Sequence, residues 1–194
     1  MLSFCTSYLG RKEYLRETYP HNVEVGINFE CEFVLVDYAA YSDKWEVSKA
    51  KNLSHYQADG DILVNVDADN YLSVEYIQGI LDLFNADMNI IVYGEQGIGG
   101  RIAISYFNFI RLGGYDERFK DWGYEDIDLI YRARNLGLRR FTVNGLAYID
   151  HDRYIEDRYK NKPLMEYNRD NNVIDWREYE DTQYGVWEAT SLGD

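Results

Sequence analysis

The sequence predicts an α/β domain with a mostly parallel central sheet flanked by helices. Three observations carry this. Short apolar, β-branched runs alternate with amphipathic stretches through the first half of the chain, the order expected of strands joined by crossover helices. Two of those runs end in acids: Glu32-Phe33-Val34-Leu35-Val36-Asp37 and Asp61-Ile62-Leu63-Val64-Asn65-Val66-Asp67. The chain has 194 residues, 46% hydrophobic and 28% charged, which is enough for one domain with a sizeable core.

Taken in order, Leu2 to Ser7 reads as the first strand. Arg11 to Tyr19 reads as a helix ended by Pro20, because proline cannot donate the bond that would extend it. Glu32 to Tyr38 is the second strand. Asp43 is a good N-cap for a helix through Trp45, Lys49, Leu53 and Tyr56. Ile62 to Val66 is a third strand, apolar except for Asn65, and reads as buried. Ser73 caps a helix that carries Val74, Ile77, Ile80, Leu81 and Phe84 at helical spacing. Asn89 to Tyr93 is the fourth strand. The second half is less regular. Gly94 to Gly100 is a Gly-rich turn without the ending of a P-loop or the spacing of a dinucleotide fingerprint. Arg101 to Ser105 is strand-like, and Tyr106 to Leu112 is a short helix closed by Gly113-Gly114. A further helix passes through Ile127, Ile130 and Ala133 to Gly137, before strand-like runs at Leu138 to Val143 and Leu146 to Ile149. The tail from residue 154 to 194 is charged and aromatic with little periodicity. The expectation is one domain: a first half over about 1–93, a second over about 94–153, then the tail.

A net charge of −14 argues against nucleic acid as a partner. Cys5 and Cys31 lie in apolar runs and are too few for a disulfide framework, so buried thiols are expected. The 19 tyrosines and four tryptophans suit sugar faces as well as cores. No run approaches the roughly 18 apolar residues that cross a bilayer. Met1-Leu2-Ser3-Phe4-Cys5 lacks a basic n-region and a long apolar h-region, so the expectation is a cytoplasmic protein, or a domain of a longer one.

Chemistry concentrates at two places. Asp67-Ala68-Asp69-Asn70 follows a buried strand, at the sheet edge where open α/β sheets hold ligands. Two carboxylates there form a hard oxygen site suited to Mg²⁺ or Mn²⁺, and such a cation neutralises a diphosphate. The plainer alternative is an acidic turn with no metal. Trp122-Gly123-Tyr124-Glu125-Asp126 puts two acids beside a ring at a helix start. The helix dipole alone favours acids there, while a carboxylate in a pocket accepts a proton from an alcohol. His151, between Asp150 and Asp152, is a candidate third metal ligand.

The ordered set of a strand with Asp67-Ala68-Asp69, then Gly113-Gly114-Tyr115-Asp116-Glu117-Arg118-Phe119, then Trp122-Gly123-Tyr124-Glu125-Asp126 resembles GT-A fold glycosyltransferases. The likeness is to the β-1,4-galactosyltransferases and the related C-terminal half of the polypeptide N-acetylgalactosaminyltransferases. It runs from about Leu2 to about Arg153. Each motif alone is weak, and the ordered set is specific. The resemblance implies a UDP-sugar donor, a saccharide or other hydroxyl acceptor, and Mn²⁺ or Mg²⁺. It implies that Asp69 and His151 bind the metal, with Asp67 in the metal or ribose shell. Arg11 and Asp37 fall where the family contacts the nucleotide. Trp122 and Gly123 lie at the sugar site, and Gly99-Gly100 matches a turn that lets the donor sugar approach. Glu125 and Asp126 match the acidic pair that holds the acceptor, with Asp126 as general base. Retaining relatives tend to have Asn after the Glu, so Glu125-Asp126 implies inversion. The sequence departs from the family where Tyr124 replaces a second glycine and where Ile127 interrupts the acids before Asp128.

Other readings fit less well. A phosphatase that begins from strand-Asp-x-Asp would want Thr or Val where Asn70-Tyr71 stands, and would carry the motif nearer its start. As a calcium loop, Asp67-x-Asp69-x-Tyr71 lacks the third acid and the glycine. A non-catalytic sugar- or nucleotide-binding module of the same fold would have no need of Asp126.

Overall fold

The structure is a computed structural model, and it describes residues 1–94, 100–119, 121 and 123–149. Strand β1 is Leu2–Tyr8, β2 Cys31–Asp37, β3 Ile62–Asn65, β4 Asn70–Tyr71, β5 Ile90–Gly94, β6 Ile102–Ser105, β7 Arg139–Val143 and β8 Ala147–Tyr148. The helices are α1 Lys12–Gly26, α2 Val47–Tyr56, α3 Val74–Ala86, α4 Tyr106–Leu112 and α5 Glu125–Asn135.

Six strands form one sheet in the order β2-β1-β3-β6-β5-β7. Neighbours β2-β1, β1-β3 and β5-β7 run parallel, and β6 runs antiparallel to both β3 and β5. The mostly parallel sheet expected from the alternation is therefore present. Tyr8 pairs with Asp37, and Cys5 pairs with Asn65 in the same parallel sense. Asp37 and the loop after Asn65 consequently leave the sheet on one edge, as expected. A second, two-stranded ribbon pairs Asn70 with Tyr148 and Tyr71 with Ala147.

Alternating side chains of each strand enter separate cores, as the two-residue period of a strand requires. Phe4, Ile62, Val64, Ile90, Val92 and Ala103 pack with Tyr76, Ile77, Ile80 and Phe84 of α3 on one face. Cys5, Leu63, Ile91, Ile102 and Ile104 pack on the other with Phe109 of α4 and with Leu129 and Ala133 of α5. Both cysteines are free thiols, Cys5 buried and Cys31 half-buried. Among the described residues no helix is long and apolar enough to cross a membrane.

Several elements follow local signals. Ser73 Oγ accepts from the Tyr76 amide and starts α3. Gly113 closes α4 with φ 75°, a left-handed conformation that glycine adopts without steric cost.

Two expectations need correction, and one strand was not foreseen. Helix α1 does not stop at Pro20 but runs on to Gly26 with Pro20 inside it. Its second half is held from outside: Asn22 Nδ2 donates to Asn70 O at 2.9 Å, and Asn22 Oδ1 accepts from the Leu72 amide at 2.8 Å. Thr18 Oγ1 also donates to Ala68 O at 2.7 Å. These bonds to the loop around Asp69 offset the one helical bond that proline removes. Helix α2 starts at Val47 rather than after Asp43, with no side-chain cap. The Val47 amide donates instead to Asp121 O at 3.0 Å, so a tertiary contact satisfies the exposed end. Finally, β4 is a strand that no periodicity announced, because two residues are too few to show any.

Candidate functional site

The loop leaving β3 is a tight turn organised by Asn70. The Asn70 amide donates to Asp67 O at 3.1 Å, and Asn70 Oδ1 accepts from the Asp67 amide at 2.9 Å. Asn70 Nδ2 donates to Asp69 Oδ1 at 3.2 Å. The turn is thus fixed from within, with Asp69 and Asn70 buried and Asp67 half-buried.

Arg101, just before β6, faces this loop. Its Nη2 lies 2.9 Å from Asp67 Oδ2 and 3.8 Å from Asp69 Oδ1, and its Nε donates to Asn70 Oδ1 at 2.9 Å. The charges shift the two carboxyls in opposite directions. Burial pushes Asp67 up, but Arg101, Lys51 and Arg11 outweigh it and hold the group below the usual carboxylate range. Burial and then the charge of Asp67 push Asp69 up, against Arg101 and Arg11. Arg11 and Asp67 are therefore electrostatically coupled, although Arg11 itself is exposed at the start of α1. Asp37 stands further along the same edge, where it pairs with Lys12 at 2.7 Å and accepts from the Ala39 amide at 3.2 Å.

Ribbon β4-β8 brings the end of the described chain to the same loop, since the Ile149 amide donates to Asp69 O at 2.9 Å. His151, Trp122 and Gly99, three of the residues singled out from the sequence, lie outside the described residues. Among the described residues no group of three or more His, Cys, Asp or Glu side chains is arranged to hold a metal. The donors present, Asp67 and Asp69, are two hard oxygen ligands, the kind that Mg²⁺ or Mn²⁺ prefers. The raised carboxyl of buried Asp69 gains from any nearby cation. On these grounds the residues fit a divalent ion, with a third ligand to come from elsewhere.

The second half of the site is built on α2 and α5. Asn52 clamps the turn after α4: its Nδ2 donates to Tyr115 O at 2.9 Å and its Oδ1 accepts from the Tyr115 amide at 2.8 Å. A Cβ on Gly114 would stand 2.6 Å from Asn52 Oδ1, so only glycine fits there. Gly123 and Tyr124 then take left-handed conformations, with φ 107° and 72°. Tyrosine is costly at such a position, so the turn before α5 is strained.

Glu125 is buried and both its oxygens are engaged. Oε1 receives Lys51 Nζ at 2.8 Å, and Oε2 accepts from the Gly123 amide at 3.0 Å. Burial pulls the Lys51 ammonium down, but Glu125, with Tyr115, Asp67 and Asp126, holds it above its ordinary value. Asp128, which appeared as part of an acidic run, is structural. It pairs with Arg132 at 2.6 Å, and Arg132 in turn donates to Leu112 O and Gly114 O.

Asp126 differs from its neighbours. It is half-buried, and its Oδ1 accepts from the Ile127 amide at 2.8 Å. Burial and then the charge of Glu125 push its carboxyl up to about 6, against Lys51 and two backbone amides. A Cβ on Gly100 would lie 3.2 Å from Asp126 Oδ2, so Gly100 passes directly over this carboxylate. Asn65 Nδ2 donates to Gly100 O at 3.0 Å. Gly100 and Arg101 therefore join the Asp67–Asp69 loop to Asp126, and residues far apart in sequence form one edge of one sheet.

Sequence reasoning missed Arg101, Lys51 and Asn70. Lys51 carries a signal in retrospect, because it interrupts the buried face of α2 formed by Val47, Ala50 and Ser54. Arg101 carries a weaker one, as a cation between a glycine turn and an apolar strand.

Residues 80–156 match the family model described as the N-terminal domain of galactosyltransferase. No curated protein matches the chain in sequence. Solved structures match in fold. The catalytic domain of Drosophila β1,4-galactosyltransferase 7 in complex with xylobiose aligns with a TM-score of 0.64 at 16% identity, over 79% of this chain and 72% of that one. A mutant of the same enzyme in complex with manganese, UDP-Gal and xylobiose aligns at 0.62 and 14%, over 92% of this chain and 78% of that one. Staphylococcus aureus TarS, residues 1–349 with UDP, aligns at 0.62 and 15%, over 91% and 68%. The chain has the GT-A fold of these glycosyltransferases, and the galactosyltransferase group is the one it resembles.

Proposed function

We propose that this chain is a metal-dependent glycosyltransferase that moves a hexose from a UDP-sugar to a hydroxyl acceptor with inversion at the anomeric carbon. One observation carries the reading above all. The Asp67–Asp69 loop and Asp126 meet across Gly100 on the edge of the sheet where α/β folds bind ligands. The manganese, UDP-Gal and xylobiose bound by the Drosophila neighbour support the choice of donor, cation and acceptor class.

Asp69 and Asp67 would hold the divalent ion, with His151 as third ligand. The bond from Ile149 to Asp69 supports that choice of histidine. When bound, the ion supplies Lewis-acid stabilisation of the departing diphosphate. Arg11 and Asp37, on the same edge, are assigned to the nucleotide. Trp122 and the Gly99-Gly100 turn are assigned to the sugars. Lys51 and Glu125 fix the Gly123 amide and so set where α5 begins. Asp126 takes the proton of the acceptor hydroxyl as that oxygen attacks the anomeric carbon and the nucleoside diphosphate leaves from the opposite face. A base with a carboxyl raised to about 6 is better matched to an alcohol near neutral pH than an ordinary aspartate.

The test is a panel of nucleotide sugars with Mn²⁺ and simple saccharide acceptors, scored for release of the nucleoside diphosphate and for the anomeric configuration of the product. Acceptor-dependent release of UDP with an inverted product is expected. Binding of UDP-sugars without any release would sink the transfer reading in favour of a binding module. A product that keeps the donor's configuration would sink Asp126 as an inverting base.

A further inference from the structure

Arg101 occupies the place that a cation shared by Asp67 and Asp69 would need. One guanidinium nitrogen reaches both carboxylates, at 2.9 and 3.8 Å. Its side chain is only 12% exposed, and Nε is anchored on Asn70, the residue that organises the turn. A guanidinium and a divalent ion would therefore compete for the same two carboxylates. Both cannot have them at once at full strength, because like charges at that distance repel strongly where burial lowers the local dielectric.

We propose that Arg101 is an exchangeable counter-ion of the Asp67–Asp69 loop. In the metal-free protein it offsets one of the pair's two negative charges. When the divalent ion enters, the guanidinium yields those oxygens and turns its charge onto the diphosphate of the donor. This rests on the metal-binding reading of Asp67 and Asp69. Three features support it. The contact with Asn70 places the arginine beside the loop, and rotation about its Cδ–Nε bond re-aims the whole guanidinium. A planar guanidinium pairs with two phosphate oxygens at once, which an ammonium does not. The chain carries a net charge of −14, so an incoming diphosphate has to be met by a few placed cations.

The proposal has a thermodynamic signature that a merely structural arginine lacks. Removing Arg101 should strengthen metal binding and weaken nucleotide binding. Mn²⁺ is titrated by the electron paramagnetic resonance signal of the free ion, without nucleotide, into the wild-type chain, Arg101→Met, Arg101→Lys and Asp69→Ala. UDP is then titrated by calorimetry at saturating Mn²⁺. Arg101→Met should bind Mn²⁺ about tenfold more tightly and UDP about tenfold more weakly, the size of one charge-assisted hydrogen bond in each direction. Its melting temperature in chelator should fall, since two neighbouring carboxylates lose their counter-ion, and Mn²⁺ should raise it more than it raises the wild type. Arg101→Lys keeps the charge without the fork and should move both affinities the same ways by less, which keeps the test usable if the Met variant does not fold. Wild type that binds Mn²⁺, lost in Asp69→Ala, with Arg101 variants unchanged or with both affinities moving together, overturns this inference alone. Absence of Mn²⁺ binding in every variant overturns the metal reading and the inference with it.

Discussion

Replacing Asp126 by Asn keeps the shape of the side chain and removes its charge. The ordinary aspartate value of 3.8 is raised to about 6 here, chiefly by burial and then by Glu125. At 1.36 kcal/mol per pH unit, that gap corresponds to about 3 kcal/mol at most. The sign follows from linkage. Below about pH 3.8 the carboxyl is neutral in both folded and unfolded chains, and it costs nothing. Above about pH 6 it is ionised in both, and the folded chain bears the cost of a buried charge beside Glu125. Wild-type stability from this group therefore falls as pH rises from about 4 to about 6. Asp126→Asn should be more stable than wild type at pH 7–8 by about 1–3 kcal/mol, and the difference should close towards pH 4. For a chain of this size each kcal/mol is about 2–4 °C in melting temperature. Turnover should fall by about 10²–10⁴-fold, while UDP and Mn²⁺ still bind. The wild-type rate should rise with pH through about 6 as the base ionises. Melting curves at several pH values are read beside UDP release. An acid that merely serves the helix dipole predicts the opposite sign, a loss of about 0.3–1 kcal/mol on substitution. A destabilised Asn variant, or one with wild-type turnover, would refute the reasoning.

Lys51→Met leaves Glu125 charged and buried without its cation, so it should cost about 3–5 kcal/mol in urea unfolding. The double change Lys51→Met with Glu125→Leu should recover part of that loss, and equal losses in the single and double variants would show that the pair is not the cause. Asp69→Ala should abolish Mn²⁺-dependent UDP binding, and UDP that binds equally well in chelator would contradict the metal assignment. Gly100→Ala places a methyl 3.2 Å from Asp126 Oδ2, which displaces the carboxylate or the turn. Turnover should fall by about 10²-fold with little change in melting temperature, and an unchanged rate would separate Gly100 from the reaction.

What was legible in the sequence was local. Ser73 before its amphipathic helix, Gly113 after another, and apolar runs of strand length each act through neighbours within a few residues, and each element stands where it was expected. The acids ending two strands were legible for the same reason, and the parallel register of β2 and β3 with β1 then carried both to one edge.

The rest was decided by contacts between segments distant in the chain. Pro20 reads as a stop because the bond it removes is local. Asn22 and Thr18 override it through partners about 50 residues away, which no window of sequence shows. Arg101 meets Asp67 and Asp69 only because β6 runs antiparallel beside β3, and strand order is not encoded in hydrophobic period. Lys51 meets Glu125 across 74 residues. The sequence by itself determined which residues were chemically able to serve, two carboxylates after a strand and two at a helix start. The tertiary structure alone decided their charge states and what they face. Burial and the neighbours brought in by the sheet set those, raising Asp126 and Asp69, lowering Asp67 and binding both oxygens of Glu125 within the fold.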